Sequence, residues 1–199
     1  MPIGTIHSAH GLYERRDGQW VSVLDIQQAK RQRHVRAGEG APVWAMGSLF
    51  EMKLTAGDTA GALGVAQVTQ PAGIATPLHR HHNEAEVFVV LEGALLYEAD
   101  GGLHELATGS TMYLPQGVPH RFVVTETARM LVIACPGRLL DLYHDVGTPA
   151  KDRVIPTELD PNEIDRWNTT APRYGLEVLG PPLRPTPSRT TAPNPSPTR

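Results

Sequence analysis

Cysteine is almost missing from this chain: Cys135 stands alone among 199 residues. A single thiol excludes an intrachain disulfide framework and suits a reducing compartment. It follows the strand-like run LVIA, so it reads as a small buried hydrophobe and not as a nucleophile. Charge of either sign is not in excess. A net charge of −3 gives no electrostatic reason to expect nucleic acid or an anionic membrane as partner. The one basic run, Lys30 to Arg36, reads as a solvated segment, because aromatic residues are also few, at 6%. Long apolar runs are missing too. No stretch is long enough to span a bilayer, and MPIGTIHSAHGLYERR carries no apolar signal core. The expectation is a cytoplasmic protein with no membrane and no nucleic-acid partner.

Histidine is present, and in a pattern. The stretch GIATPLHRHHNEAEVFVVLEG, Gly73 to Gly93, sets His79 and His81 two residues apart, with Glu86 five further on. In a strand, residues i and i+2 share a face, so both imidazoles can converge on one point. Glu86 opens the run VFVVL, the next strand, which can return a carboxylate to that point. A second stretch, GSTMYLPQGVPHRFV from Gly109 to Val123, has a strand, a Pro/Gly turn, and His120 opening another strand. Three histidines and a carboxylate suit a first-row transition metal. His82 and His104 read as ordinary surface or core residues.

The remaining sequence is strand-like on either side of these stretches. VWAMGSLFEMKLTA reads as one or two strands and ALGVAQVTQ as another. ALLYEA and LHELA flank Asp100-Gly101-Gly102, a tight-turn signal. TMYLP, HRFVVT and ARMLVIACP follow, each closed by Gly, Pro or Thr. Short strands with frequent turns indicate an all-β sandwich or barrel, and no second copy of the histidine motif exists. Past Gly137 the period changes: Leu139, Leu142, Tyr143 and Val146 fall on one helical face that Gly147 ends. Asp160-Pro161-Asn162-Glu163 reads as a second helix start, with Asp160 as N-cap, and the helix fades before Pro172. Seven prolines between Pro181 and Pro197 forbid a packed helix or central strand there.

Four segments result: an N-terminal arm at 1–36, with a short strand or helix at Trp20–Ile26; a β-barrel at 37–147; a helical or extended segment at 148–183 packed on the barrel; and a Pro-rich flexible tail at 184–199. The arm and the apolar strands lead us to expect a homodimer that uses barrel edges.

The two histidine stretches resemble the paired motifs of the cupin superfamily. Gly73, His79, His81, Glu86 and Gly93 fill every fixed position of G(X)5HXH(X)3,4E(X)6G. Gly109, Pro115, Gly117 and His120 fill G(X)5PXG(X)2H(X)3N up to its last position, where Val124 replaces Asn. The short spacer 94–108 is like that of microbial single-cupin proteins. The resemblance implies a single jelly-roll barrel holding one divalent transition metal (iron, nickel, manganese, cobalt or zinc) through His79, His81, Glu86 and His120. The Val124 departure is expected to leave the metal site standing and to alter a pocket wall.

Counting by two from Glu86 gives Phe88 and Val90, and from His120 gives Phe122 and Val124, so the expected pocket is apolar and partly aromatic. Within the cupins, the chain is similar to the single-domain quercetin 2,3-dioxygenase-like branch. That similarity implies an enzyme taking a small hydrophobic, oxygenated substrate of flavonol, enol or polyketide type, together with dioxygen. Glu86 would be both ligand and base. A cyclase or isomerase that consumes no dioxygen, and a non-catalytic small-molecule-binding cupin, are the alternatives.

Overall fold

A computed structural model describes residues 5–8, 11–16, 19–22, 32–158 and 160–184. The architecture is that of an all-β jelly roll with short C-terminal helices, as the sequence leads one to expect. The tail beyond residue 184 and much of the arm lie outside the described residues. Within the arm, β1 (Thr5–Ser8), β2 (Gly11–Arg16) and β3 (Gln19–Ser22) form an antiparallel meander in its own sheet. The expected element at Trp20–Ile26 is thus a strand that starts one residue earlier. Its two partners carried no periodic signal.

The barrel is built on two long strands, β8 (Ala85–Ala99) and β11 (His120–Cys135). They pair antiparallel along their whole length, with Glu86 opposite Ala134 at one end and His120 opposite Ala99 at the other. Yet Glu86 and His120 touch. Both hold only if the ladder is folded over, so that its two ends meet. The fold lies at Gly93, where the register shifts repeatedly between Val124 and Met130. Such irregularities bend and twist a strand pair. The first half of β8 joins β10 (Thr111–Leu114), and the second half joins β9 (Gly102–Ala107). On the far side of β11, one half pairs with β6 (Gly64–Gln70) and the other meets β7 (Pro77–His81). Next to β6 come β5 (Ser48–Leu54) and β4 (Ala41–Ala45).

Local sequence explains the tight connections. The VWAMGSLFEMKLTA run is two strands because Met46 and Gly47 both take positive φ, 51° and 71°, between β4 and β5. Asp100 and Gly101, at 50° and 73°, do the same between β8 and β9. Two successive positive φ values define the hairpin turn whose twist matches the strands.

The segment after the barrel does more than pack on it. β12 (Thr148–Pro149) extends the sheet beyond β4, and β13 (Leu176–Pro182) pairs with β7. Proline in β13 is tolerated because the strand lies at an edge and needs few N–H donors there. Helix α1 (Asp141–Val146) continues a 3-10 turn at Gly137–Leu140 and buries Leu139, Leu140, Leu142 and Val146 completely. Gly147 ends it for a reason other than a left-handed cap. Its φ of −82° is ordinary, but a side chain would collide with the Trp44 carbonyl at 2.6 Å. Helix α2 (Glu163–Thr170) starts at Asn162, two residues after the expected cap. Asp160 instead accepts from Asn162 N at 2.9 Å and pairs with Arg166 at 2.8 Å, while Glu163 turns inward and is buried. The helix also runs on through Pro172 as a 3-10 turn, because proline fits the first positions of a new turn.

Candidate metal centre and cavity

His79 and His81 alternate with partly exposed Leu78 and Arg80 along β7, so both imidazoles enter the barrel. His120 opens β11 directly beside His79 in the ladder. The turn before it is anchored by Gly117 N, which donates to His81 O at 2.8 Å. One ring nitrogen from each of His79, His81 and His120 lies within 4.8 Å of the others, and all three side chains are buried. The folded ladder then brings Glu86 across from its other half. Its Oε2 lies 3.0 Å from His81 Nε2 and 3.4 Å from His120 Nε2.

Hydrogen bonding sets the tautomers. Nδ1 of His79 lies 2.7 Å from the Pro77 carbonyl, and Nδ1 of His120 lies 2.9 Å from the Val118 carbonyl. A carbonyl only accepts, so each Nδ1 carries a proton, and in the neutral ring each Nε2 then keeps its lone pair. This second contact is what orients metal-ligating histidines. Among the described residues, His120 Nε2 and Glu86 Oε2 find no hydrogen-bond partner although both are fully buried. Buried polar atoms are seldom left unpaired. Three converging imidazoles and a carboxylate in a buried site fit a transition-metal cation.

The electrostatics agree. Burial, helped by the neighbouring His120 and His81 rings, pushes His79 down to about 3, so it is neutral and able to ligate. Burial also opposes charge on His81, but the Glu86 carboxylate outweighs it and raises that imidazole. Burial favours the neutral acid at Glu86, yet His81 and His120 outweigh it and hold the carboxyl well below its ordinary range. The site is thus arranged around an ionised carboxylate that calls for a positive partner, and a proton and a metal ion compete for that place.

A cavity of about 610 Å³ adjoins the cluster. His79, His81, Glu86 and His120 all reach it. The chain has only three phenylalanines, and all three, Phe50, Phe88 and Phe122, are on its wall. Val90 and Val124 are not. Both are 1% exposed core residues next to the fold of the ladder and stand outside the cavity lining. The departure from Asn at Val124 therefore alters the core and not the wall. Sequence reasoning missed Tyr97, Gln70 and Trp167, which also line the cavity, and it used Tyr143 only as a core-facing helix residue. Tyr143 stacks on Phe50, with ring centroids 4.2 Å apart, and tilts against Trp167 at 5.6 Å. Burial raises both Tyr97 and Tyr143, and the Glu86 charge adds to it in each. Glu84, beside the cluster in sequence, is buried too, and burial raises its carboxyl.

Of the histidines set aside, His82 is exposed and pairs with Glu177 at 2.7 Å, and His104 is exposed. Cys135 is exposed as well, so the expected buried thiol is corrected: it closes β11 on the outward side of the alternation. Among the described residues, no helix is long and apolar enough to cross a membrane.

Residues 66–134 match the Cupin domain family. An uncharacterized protein of Methanocaldococcus jannaschii is 30% identical over 71 residues, 36% of this chain and 57% of that protein. Quercetin 2,3-dioxygenase of Bacillus subtilis is 28% identical over 129 residues, 62% of this chain and 34% of the enzyme. The chain therefore spans about half and one third of the lengths of these two relatives. Among solved structures, an RmlC-like cupin from Shewanella frigidimarina superposes with a TM-score of 0.47 at 21% identity, covering 54% of this chain and 94% of that one. With its paired motifs in register and its folded β8–β11 ladder, the chain belongs to the cupin superfamily.

Proposed function

We propose that this protein is a metal-dependent enzyme that acts on a small, hydrophobic, oxygenated substrate of flavonol, enol or polyketide type, as a dioxygenase. The observation that carries the reading is the juxtaposition of the histidine cluster with a cavity that takes all three phenylalanines of an aromatic-poor chain. A concave, apolar site with few converging polar groups is where a flat ligand binds. The similarity to quercetin 2,3-dioxygenase, though confined to a third of that enzyme, points to the same substrate chemistry.

His79, His81, His120 and Glu86 would hold one divalent transition metal. When bound, such a metal supplies Lewis acidity and open positions for a substrate oxygen and for dioxygen. The chain's own residues supply the rest. The Pro77 and Val118 carbonyls fix the faces of His79 and His120. Phe88, Phe122 and the Phe50–Tyr143 pair hold a planar ring and exclude water. Glu86, ionised inside the barrel, accepts the proton of a substrate hydroxyl brought next to the histidines.

The test is metal analysis of the isolated protein, combined with oxygen uptake on quercetin and on pentane-2,4-dione. A redox-capable metal and uptake matching substrate loss are expected. Conversion without uptake would replace this reading with a cyclase or isomerase. Bound metal with no conversion of any such substrate would leave a binding protein.

A further inference from the structure

Five polar atoms on the cavity wall lack a partner among the described residues, and three of them belong to His81, Glu86 and His120. The other two are the Tyr97 hydroxyl and Gln70 Oε1. Both residues are more than nine-tenths buried, with Tyr97 at 0% and Gln70 at 6% exposure. Each is held in place by its surroundings. The Tyr97 ring stacks on Phe122 at 5.3 Å and faces His120 at 6.1 Å, with Phe88 against it at 5.5 Å. Gln70 Nε2 donates to Ser48 Oγ at 3.1 Å. Ser48 in turn directs its hydroxyl proton to the Met46 carbonyl, at 3.4 Å. Its lone pairs are then free only to accept, so the amide nitrogen must face Ser48 and the amide oxygen the other way.

The ladder places the two at different ends. Tyr97 is opposite Phe122, two residues from the Ala99–His120 pair, at the histidine end. Gln70 is opposite Ala128, beside the fold and away from the histidine end of the ladder. An unpartnered buried polar group is costly, and a ligand that pairs with it removes that cost.

Accepting the cavity as the substrate site, we propose that Tyr97 and Gln70 are its two positioning residues. Tyr97 donates to a ligand oxygen next to the histidines, and Gln70 accepts from a hydroxyl at the ligand's far end. The ligand is therefore a flat ring system with an oxygen function at one end and a hydrogen-bond donor at the other. A ligand that presents only C–H to Gln70 leaves its oxygen unpaired, and this is the selectivity step.

The experiment is anaerobic fluorescence titration of the metal-loaded protein with 3-hydroxyflavone, its 4′- and 7-hydroxy derivatives, and the matching methoxy compounds. At least one hydroxy derivative should bind roughly five- to tenfold tighter than the parent, about the effect of one neutral hydrogen bond. The methoxy partner, which cannot donate, should lose that gain. Gln70→Met should abolish the preference and leave the parent's affinity within about twofold. Tyr97→Phe should weaken all ligands by a similar roughly five- to tenfold factor, with metal content and melting temperature unchanged. A preference surviving in Gln70→Met or in the methoxy compound, no preference in the wild type, unchanged affinities in Tyr97→Phe, or no binding at all would overturn the proposal. Binding is read without turnover. A protein that binds in this pattern but consumes no oxygen refutes the dioxygenase reading alone.

Discussion

The folded ladder can be tested at one residue, Gly93. Its φ of +77° lies in the left-handed region. A Cβ built there would stand 2.8 Å from Ala128 Cα and from the Thr127 carbonyl carbon, and closer still to the Thr127 oxygen. All three are backbone atoms of the paired strand, which no rotamer change can move. Gly93→Ala therefore carries two costs. The left-handed backbone contributes about 1–2 kcal/mol for a residue with a Cβ. Forcing a methyl into packed backbone contributes a further ~1–3 kcal/mol. Gly109 is the control, because its φ is +90° and nothing lies within 4 Å of a Cβ there. Gly109→Ala should show the first cost only. Urea denaturation of both variants should give a loss of about 2–5 kcal/mol at Gly93 and about 1–2 kcal/mol at Gly109. Strain at the fold also acts on the site, since the fold is what brings Glu86 to His120. Metal retained after dialysis against a weak chelator should fall in Gly93→Ala and hold in Gly109→Ala. Equal losses of stability at the two positions would refute close approach as the reason for glycine. Unchanged metal retention in a clearly destabilised Gly93→Ala would refute the coupling of fold to site.

Glu86→Gln keeps the shape and one oxygen but has lost the charge and the basicity. If Glu86 is also the base, the variant refilled with metal should remain slower by roughly two to four orders of magnitude, whereas full recovery on metal addition would reduce it to a ligand. His120→Ala should sharply lower bound metal, measured by elemental analysis. Tyr174 is pushed up to about 12 by burial and by the Asp145 carboxylate, which accepts from its hydroxyl at 2.5 Å. Its folded-state value is the higher one, so its contribution is complete below pH 10 and is lost as pH rises through about 12. Melting temperature should thus fall more steeply over that window in the wild type than in Tyr174→Phe. Tyr97 and Tyr143, raised in the same direction, should leave a residual decline in the variant.

What could be read from the sequence, and what could not, divides along the β8 strand. His79, His81, Glu86 and His120 were legible because their spacing is short and each strand's alternation runs unbroken through them. Alternation states which face a residue takes but not how far along that face a cavity extends. Val90 and Val124 share the faces of Glu86 and His120 and still miss the wall. Tyr97 fails for the opposite reason. Buried positions on β8 are even-numbered from Glu86 to Val90, then odd-numbered at Leu95, Tyr97 and Ala99. The irregular register at the fold changes the parity, and a count by two carried across it puts Tyr97 outside. The local signal for that change is Gly93 itself, a glycine inside a strand pattern, which marks a bulge or a close approach of backbone. A strand count restarted at Gly93, and not carried through it, places Tyr97 with the inward face.

The same change of parity ties the histidine cluster to the cavity. Without it, one half of β8 would turn Glu86 and Phe88 inward while the other half turned Leu96 and Glu98 inward, placing a charged side chain in the core. The shift brings in Leu95 and Tyr97 instead and leaves Glu98 outside, where it pairs with Arg121 at 2.9 Å. Folding the ladder then sets Tyr97 against His120 and Phe122 of its own half and against Phe88 of the other half. Glycine at 93 therefore acts on both counts: it lets the backbones of β8 and β11 approach at the fold, and it marks where Tyr97 becomes a wall residue beside the histidines. A substitution that merely destabilised the barrel would lower melting temperature alone. One that restored unbroken alternation through this point would turn Tyr97 out of the site and Glu98 into it.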